Sequence, residues 1–203
     1  MIPVSVGPIR PGELSAAVGV LARGMRDNPM HVAAFGDDPE RRVLMLERMF
    51  EALFRTMDNA PLVARREREV VGVLGIAESP ACMPTGGQTL RLLPVILRSG
   101  PASAARLGRW LRAWADRDPQ EPHSHLGPVA VDAGLQRQGI GSRMMAAYCD
   151  FLDEGARVGY LETDKAVNVA FYALSGFETV ARAQVLGVEN WFMRRQPRLP
   201  PAA

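Results

Sequence analysis

The spacing of apolar positions changes along the chain, and each change predicts an element. Residues 12–26 carry Leu14, Ala17, Val18, Leu21, Ala22 and Met25, a recurrence of threes and fours that predicts an amphipathic helix. Pro39 and Glu40 open a second helix, with Val43, Leu44, Leu46, Met49, Phe50, Leu53 and Phe54 in the same rhythm. Asp38 stands at its N-cap and proline at its first position. The period then shortens. Residues 61–64 and 70–77 read as strands, and the polar run Arg65 to Glu69 as the hairpin turn between them. Residues 79–102 hold four of the 16 prolines and read as loop, with a short helical piece over 90–97. Residues 103–116 form a helix with Leu107, Trp110, Leu111 and Trp114 on one side, ended by Asp118-Pro119.

The last third alternates. Strands are predicted at 126–131, 158–163, 177–185 and 190–194, and helices at 139–153 and 169–174. Strand, helix and strand in tandem require at least one parallel pair with a right-handed crossover, whereas the hairpins at either end are antiparallel. The class is therefore α/β, a mixed sheet of about six or seven strands. Residues 1–196 are expected to form a single domain, and the Pro-rich 197–203 a flexible tail.

Composition narrows the function. The 203 residues are 47% hydrophobic and 23% charged, as in soluble globular chains. Twenty-four basic residues, all arginine except Lys165, stand against 22 acidic ones, for a net charge of +2. No strongly basic balance argues for nucleic acid. Two cysteines, Cys82 and Cys149, cannot build a disulfide framework. The first residues lack a basic stretch followed by an apolar one, and no apolar run approaches the roughly 20 residues that span a bilayer. The expectation is a cytoplasmic protein with no membrane partner.

The most informative segment runs from Val129 to Arg143. A strand enters a polar turn, two glycines follow, and an amphipathic helix begins. The first amides of a helix have no internal partner and carry the positive end of its dipole. Phosphate can approach them closely where side chains are small, as at Gly139 and Gly141, and Arg137 and Arg143 add charge. The same glycines also suit an ordinary strand-to-helix turn. A P-loop would need Gly-Lys-Ser/Thr here, and there is no Lys. A dinucleotide fingerprint would continue to a third glycine where Met144 stands, although Glu162 falls near the place of its ribose-binding acid. That reading leaves too little sheet for a doubly wound fold.

Gln136-x-x-Gly139-x-Gly141 resembles the Gln/Arg-x-x-Gly-x-Gly/Ala loop of the GNAT N-acetyltransferases. Pro128-Val129-Ala130-Val131 resembles the family's splayed strand before that loop. Leu161-Glu162-Thr163, with Asn168-x-x-Phe171-Tyr172-x-x-x-Gly176-Phe177, resembles its next strand and helix. Asn190 to Arg195 resembles the last strand of the branch containing puromycin N-acetyltransferase. The specific match covers residues 123–195, which the resemblance makes the acetyl-CoA-binding core.

The resemblance implies a mostly antiparallel sheet with helices on both faces and splayed strands at a cofactor cleft. It implies acetyl-CoA as cosubstrate, its pyrophosphate on the loop Gln136, Arg137, Gln138, Gly139, Ile140, Gly141 and Ser142. Its pantetheine arm would lie along the main chain of Val129, Ala130 and Val131. By the same resemblance Tyr172 protonates the leaving thiolate, and Asn168 contacts the cofactor. Read without the family, Asn168 serves equally as a helix N-cap and Tyr172 as a half-buried core aromatic. A homodimer is a family-level expectation only.

An acceptor amine at neutral pH is mostly protonated, so a base must take its proton. Glu162, in an otherwise apolar stretch near a strand end, is the first candidate; its alternative is an ion pair with an arginine. His123 and His125 are the second. The His-x-His spacing puts both rings on one strand face and also suits a metal, but no third ligand is evident, and no metal is expected. Neither cysteine has a histidine beside it in sequence, so direct attack by a small amine is expected rather than an acyl-enzyme. A catalytically idle acyl-CoA-binding module is the alternative. Residues 79–122 are expected to build the acceptor wall, and the scarcity of acids between Ser79 and Trp114 favours a small, partly apolar amine over a polycation.

Overall fold

The computed structural model describes residues 3–198. A seven-stranded sheet runs in the order β1-β2-β3-β4-β5-β7-β6. Its strands are β1 (Val4–Pro8), β2 (Leu62–Arg66), β3 (Glu69–Glu78), β4 (Ser124–Val131), β5 (Gly159–Thr163), β6 (Glu178–Val185) and β7 (Val188–Arg195). All neighbours are antiparallel except β4 and β5. This mostly antiparallel order removes the doubly wound dinucleotide fold.

One face carries α1 (Leu14–Met25), α2 (Pro29–Phe35), α3 (Pro39–Thr56) and α5 (Pro101–Ala115) over a core that includes Leu21, Met30, Leu46, Phe50, Leu107 and Trp110. The other carries α6 (Ile140–Glu154), whose Met144, Met145, Tyr148 and Leu152 pack with Leu74, Leu126, Leu161 and Phe177. The short α7 (Ala166–Ala173) adds Tyr172 to that second core. No helix among the described residues is long and apolar enough to cross a membrane.

The predicted cap of α3 is present: the Asp38 carboxylate accepts from the amides of Glu40 and Arg41 at 3.0 and 3.1 Å. Two elements escape the pattern. The seven residues of α2 are too few to establish a period, and β1 offers only one short alternation. The piece expected at 90–97 is a full helix, α4 (Gly86–Arg98), that contains Pro94. A Thr85/Gln88 capping box starts it where prolines and glycines suggested loop. The tail expected at 197–203 lies mostly outside the described residues. Arg198, within them, donates its amide to Asp153 at 2.7 Å.

Two features of β4 shape the centre of the molecule. Leu74 pairs with Val129 and Ile76 with Leu126, so Gly127 and Pro128 together face Gly75 in a β-bulge. A β-carbon on Gly75 would stand 3.0 Å from Pro128 Cδ, so glycine is what admits the proline there. On its other side β4 pairs with β5 only at Ser124 and His125. Beyond that point the strands part, and the edge from Leu126 to Val131 has no strand beside it.

Candidate active site

The parting of β4 and β5 opens into a cavity of about 210 Å³. His125, Pro128 and Val129 line it from β4, Glu162 and Thr163 from β5, and Asn168 and Tyr172 from α7. The opposite wall is apolar: Met30 and His31 of α2, Met49, Phe50 and Leu53 of α3, and Leu107, Trp110, Leu111 and Trp114 of α5. Of residues 79–122, α5 contributes to the lining of this cavity and α4 does not. The N-terminal helices supply the rest, and no motif in their residues reveals it.

The wall is pinned by polar contacts. Asp164 accepts from the amide of Met30 at 2.7 Å and anchors the start of α2 to the end of β5. The buried guanidinium of Arg42 donates to the carbonyls of Arg26 and Gly36 and to Asp27, tying α3 to the C-terminal ends of α1 and α2. Trp114 donates its indole N–H to Asn190 Oδ1 at 3.0 Å, and its ring packs edge-on against Trp110.

Glu162 is nearly buried, its side chain 3% exposed, and its Oε2 lies 2.8 Å from His125 Nε2. No arginine pairs with it among the described residues, so the expected alternative of an arginine ion pair gives way to a histidine partner. Burial opposes charge on His125, but the Glu162 and Asp118 carboxylates outweigh it and hold the imidazole well above its usual range. At neutral pH such a ring has no free lone pair with which to take a proton.

Tyr172 is buried at the cleft, and burial, with Asp164 nearby, raises its hydroxyl so that it stays protonated. Asn168 is not an N-cap. Lys165 holds that place, and Asn168 follows three residues later, donating to Thr163 Oγ1 at 3.3 Å.

The glycine loop follows β4 directly, through a 3-10 turn at Ala133–Leu135. Arg137 (φ +60°) and Gly139 (φ +80°) are both left-handed, and Gly139 is the N-cap of α6. Among the described residues, no backbone acceptor takes the amides of residues 136–142. Gln136 and Gln138 are occupied in bracing the loop, donating to the carbonyls of Val131 and Gly134 at 3.2 and 3.4 Å. The side chains of Ala130 and Ile140 are buried, so these two residues could meet a ligand only through their main chain. Gly141 has a second duty: a β-carbon there would stand 3.3 Å from the Phe171 ring. Ser142 faces away from the cavity, toward Phe171 and Cys149.

The two remaining histidine-linked groups come from far apart in sequence. Cys82, in the loop after β3, has its Sγ 3.7 Å from His123 Nε2, and Asp118, after α5, lies 3.4 Å from the same nitrogen. Burial raises the Cys82 thiol, but the two imidazoles pull it down to about 7. Asp118 Oδ1 and His125 Nδ1 are buried without hydrogen-bond partners. Each such orphan costs about 1–3 kcal/mol.

Solved structures share this architecture. One described as histone acetyltransferase HPA2 and related acetyltransferase from Corynebacterium glutamicum matches with a TM-score of 0.73 at 19% identity, over 98% of this chain and 99% of that one. The ribosomal-protein-S18-alanine N-acetyltransferase of Escherichia coli matches at 0.58 and 12%, over 99% of each chain. An apo agmatine N-acetyltransferase variant matches at 0.59 and 11%, over 95% of this chain and all of that one. At such identities the likeness concerns the fold. Sequence likeness speaks to the family: the Acetyltransferase (GNAT) family profile matches residues 29–177, and the chain belongs to that family.

Proposed function

We propose that this chain is an acetyl-CoA-dependent N-acetyltransferase acting on the amine of a small, partly apolar molecule. One juxtaposition carries the reading. The unpaired edge of β4 joins a loop of free amides at one end to a cavity holding Glu162 and Tyr172 at the other.

The loop fits a pyrophosphate. Its amides of residues 137–142 lack protein partners, the helix dipole favours anions there, and Gly139 and Gly141 keep side chains out of the approach. The main chain of Val129 to Val131 can take a pantetheine arm as a strand would be taken. Bound acetyl-CoA supplies an activated acetyl thioester. The chain's own work is to dehydrate, orient and move protons. Glu162 takes the proton of the acceptor ammonium, because its Oε2 partner His125 donates and leaves the other carboxylate oxygen for the amine. Tyr172, held protonated, donates to the departing thiolate. The gain is modest, since a thiol of pKa about 8.5 already leaves tolerably near neutral pH.

The aromatic and aliphatic wall selects the acceptor. Trp110, Trp114, Phe50 and Leu107 offer apolar contact, while the acids of the cavity, Glu162 and Asp164, sit together at the β5 end. An amine with a short apolar or aromatic body satisfies both ends. A polyamine would leave its further charges against hydrocarbon. The terminal-strand likeness to the puromycin N-acetyltransferase branch agrees with a small-molecule acceptor.

Calorimetry against acetyl-CoA, CoA, NAD and NADP tests the cofactor assignment. Micromolar binding of the two CoA species and none of the dinucleotides is expected; preference for NAD or NADP would overturn it.

A further inference from the structure

Cys82, Asp118, His123 and His125 converge on one point. Their ligand atoms, one from each residue, all lie within 4.8 Å of one another. We propose that this group binds a zinc ion in a closed, four-ligand site through Cys82 Sγ, Asp118 Oδ1, His123 Nε2 and His125 Nδ1, which clips the loop after β3 and the turn after α5 to the start of β4.

The nitrogen–oxygen spacings fit a coordination sphere better than hydrogen bonds, and the contacts of Cys82 Sγ with Asp118 and His123 suit either. With Zn–N of about 2.0–2.1 Å, Zn–O of about 2.0–2.2 Å and Zn–S of about 2.3 Å, a tetrahedron has N–O edges near 3.4 Å and edges to sulfur near 3.6 Å. Asp118 Oδ1 lies 3.4 Å from His123 Nε2 and 3.6 Å from His125 Nδ1, and Cys82 Sγ lies 3.7 Å from His123 Nε2. A charge-assisted hydrogen bond would draw such atoms to about 2.7–2.9 Å. One ion between them would also satisfy both buried orphans, Asp118 Oδ1 and His125 Nδ1.

The outer contacts fit as well. A metal-binding imidazole normally gives its other N–H to a carbonyl or carboxylate, which fixes the tautomer. His123 Nδ1 faces the Glu121 carbonyl at 2.9 Å, and His125 Nε2 faces Glu162 at 2.8 Å. A cysteine-histidine-aspartate nucleophile would need a line, with the carboxylate on the far nitrogen of the histidine. Here Cys82 and Asp118 approach the same nitrogen of His123, so the groups surround a point. Thiolate with two imidazoles and a carboxylate selects zinc over the hard cations. A second cavity of about 110 Å³, lined by Cys82 and His125 together with Leu53, Phe54 and Met57, gives a path of entry.

The site reaches the proposed chemistry through one bond. Zinc on Nδ1 would displace the proton there and leave His125 as the neutral tautomer that donates Nε2–H to Glu162, so the metal would make His125 a positioning residue.

The test reads metal, not turnover, and stands apart from the acetyl-transfer assignment. The purified full chain is assayed for zinc by mass spectrometry, then stripped with a chelator and titrated with Zn²⁺ and Co²⁺. One zinc per chain is expected, and the Co²⁺ form should show intense tetrahedral d–d bands with a thiolate charge-transfer band. Cys82→Ser should abolish the charge-transfer band, and Asp118→Asn should weaken Zn²⁺ binding by roughly 100-fold or more. Cys149→Ser should change neither. Absence of stoichiometric zinc after reconstitution of the folded wild-type chain would overturn the proposal. So would a charge-transfer band that survives Cys82→Ser or disappears in Cys149→Ser.

Discussion

Glu162 meets His125 across the fork of the sheet: Oε2 and Nε2 are 2.8 Å apart, and Glu162 stands two residues beyond Tyr160, the partner of His125 in the last pairing of β4 with β5. Alternation along β5 turns Glu162 toward the cavity while Leu161 enters the core behind it. The carboxylate is thereby buried, oriented and partnered on one oxygen.

If Glu162 takes the acceptor's proton, Glu162→Gln keeps its size and its contact with His125 but removes the base. It should lower kcat/KM for the amine by roughly 100-fold or more while the dissociation constant for acetyl-CoA stays within about twofold. His125→Asn should cost less, because the residue acts through Glu162. A larger loss in His125→Asn than in Glu162→Gln would reverse the two roles.

Tyr172 offers a different signature. As the acid for the leaving thiolate, Tyr172→Phe should lower kcat by roughly 10–1,000-fold with KM for acetyl-CoA nearly unchanged. A rise in KM alone would make the hydroxyl a binding contact.

The loop prediction has to separate binding from packing, because a β-carbon at Gly141 would press on the Phe171 ring. Gly141→Val should abolish acetyl-CoA binding by calorimetry while the far-ultraviolet circular dichroism remains folded. Adding Phe171→Ala relieves the contact with the ring. If the double variant regains wild-type affinity, the loss came from packing and the amides are not the anion site.

A charged pair far from the cleft sets part of the acid stability. Arg65, 4% exposed, donates to both carboxylate oxygens of Glu13 and to the Pro8 carbonyl, which fastens the start of α1 to β1 and β2. The Arg65 hydrogen bonds hold the Glu13 carboxyl at about 2, against an ordinary 4.5, although burial pulls the other way. Because the folded value is the lower one, the contribution is complete above pH 4.5 and is lost as pH falls toward 2. Glu13→Gln should destabilise the fold by about 1 kcal/mol at pH 7. It should also flatten this part of the stability curve in urea titrations. An unchanged slope below pH 4.5 would remove Glu13 from the acid transition.

Residues 123–195 were legible because their constraints are local. A strand, a left-handed glycine and an amphipathic helix follow one another within about 25 residues, and each leaves a mark on composition or period. Pro128, which has no N–H to give a ladder, sits in the bulge opposite Gly75. The Cys82–Asp118–His123–His125 group was not legible. Its members lie on three segments brought together by tertiary packing, and His-x-His without a third ligand gave no reason to look 41 residues back to Cys82. The aromatic wall was half legible: Trp110 and Trp114 announce a helix face, but nothing in the pattern of α1 to α3 tells that their Met30 and Phe50 complete the same cavity. The capping box at Thr85 was present in the sequence and outweighed by the glycines and prolines around it.

Acetyl transfer from acetyl-CoA to a small, partly apolar amine is read out by steady-state release of free CoA thiol, matched to acetylated product by mass spectrometry. The panel should set phenethylamine-like and hydrophobic aminoacyl-type amines beside spermidine and a lysine-rich histone peptide. Turnover is expected with one acetyl amide formed per thiol released, kcat/KM highest for the apolar monoamines, and a rise in their KM in Trp110→Ala with no change for acetyl-CoA. Tight acetyl-CoA binding without turnover of any amine, or a preference for spermidine or the histone peptide, would contradict it.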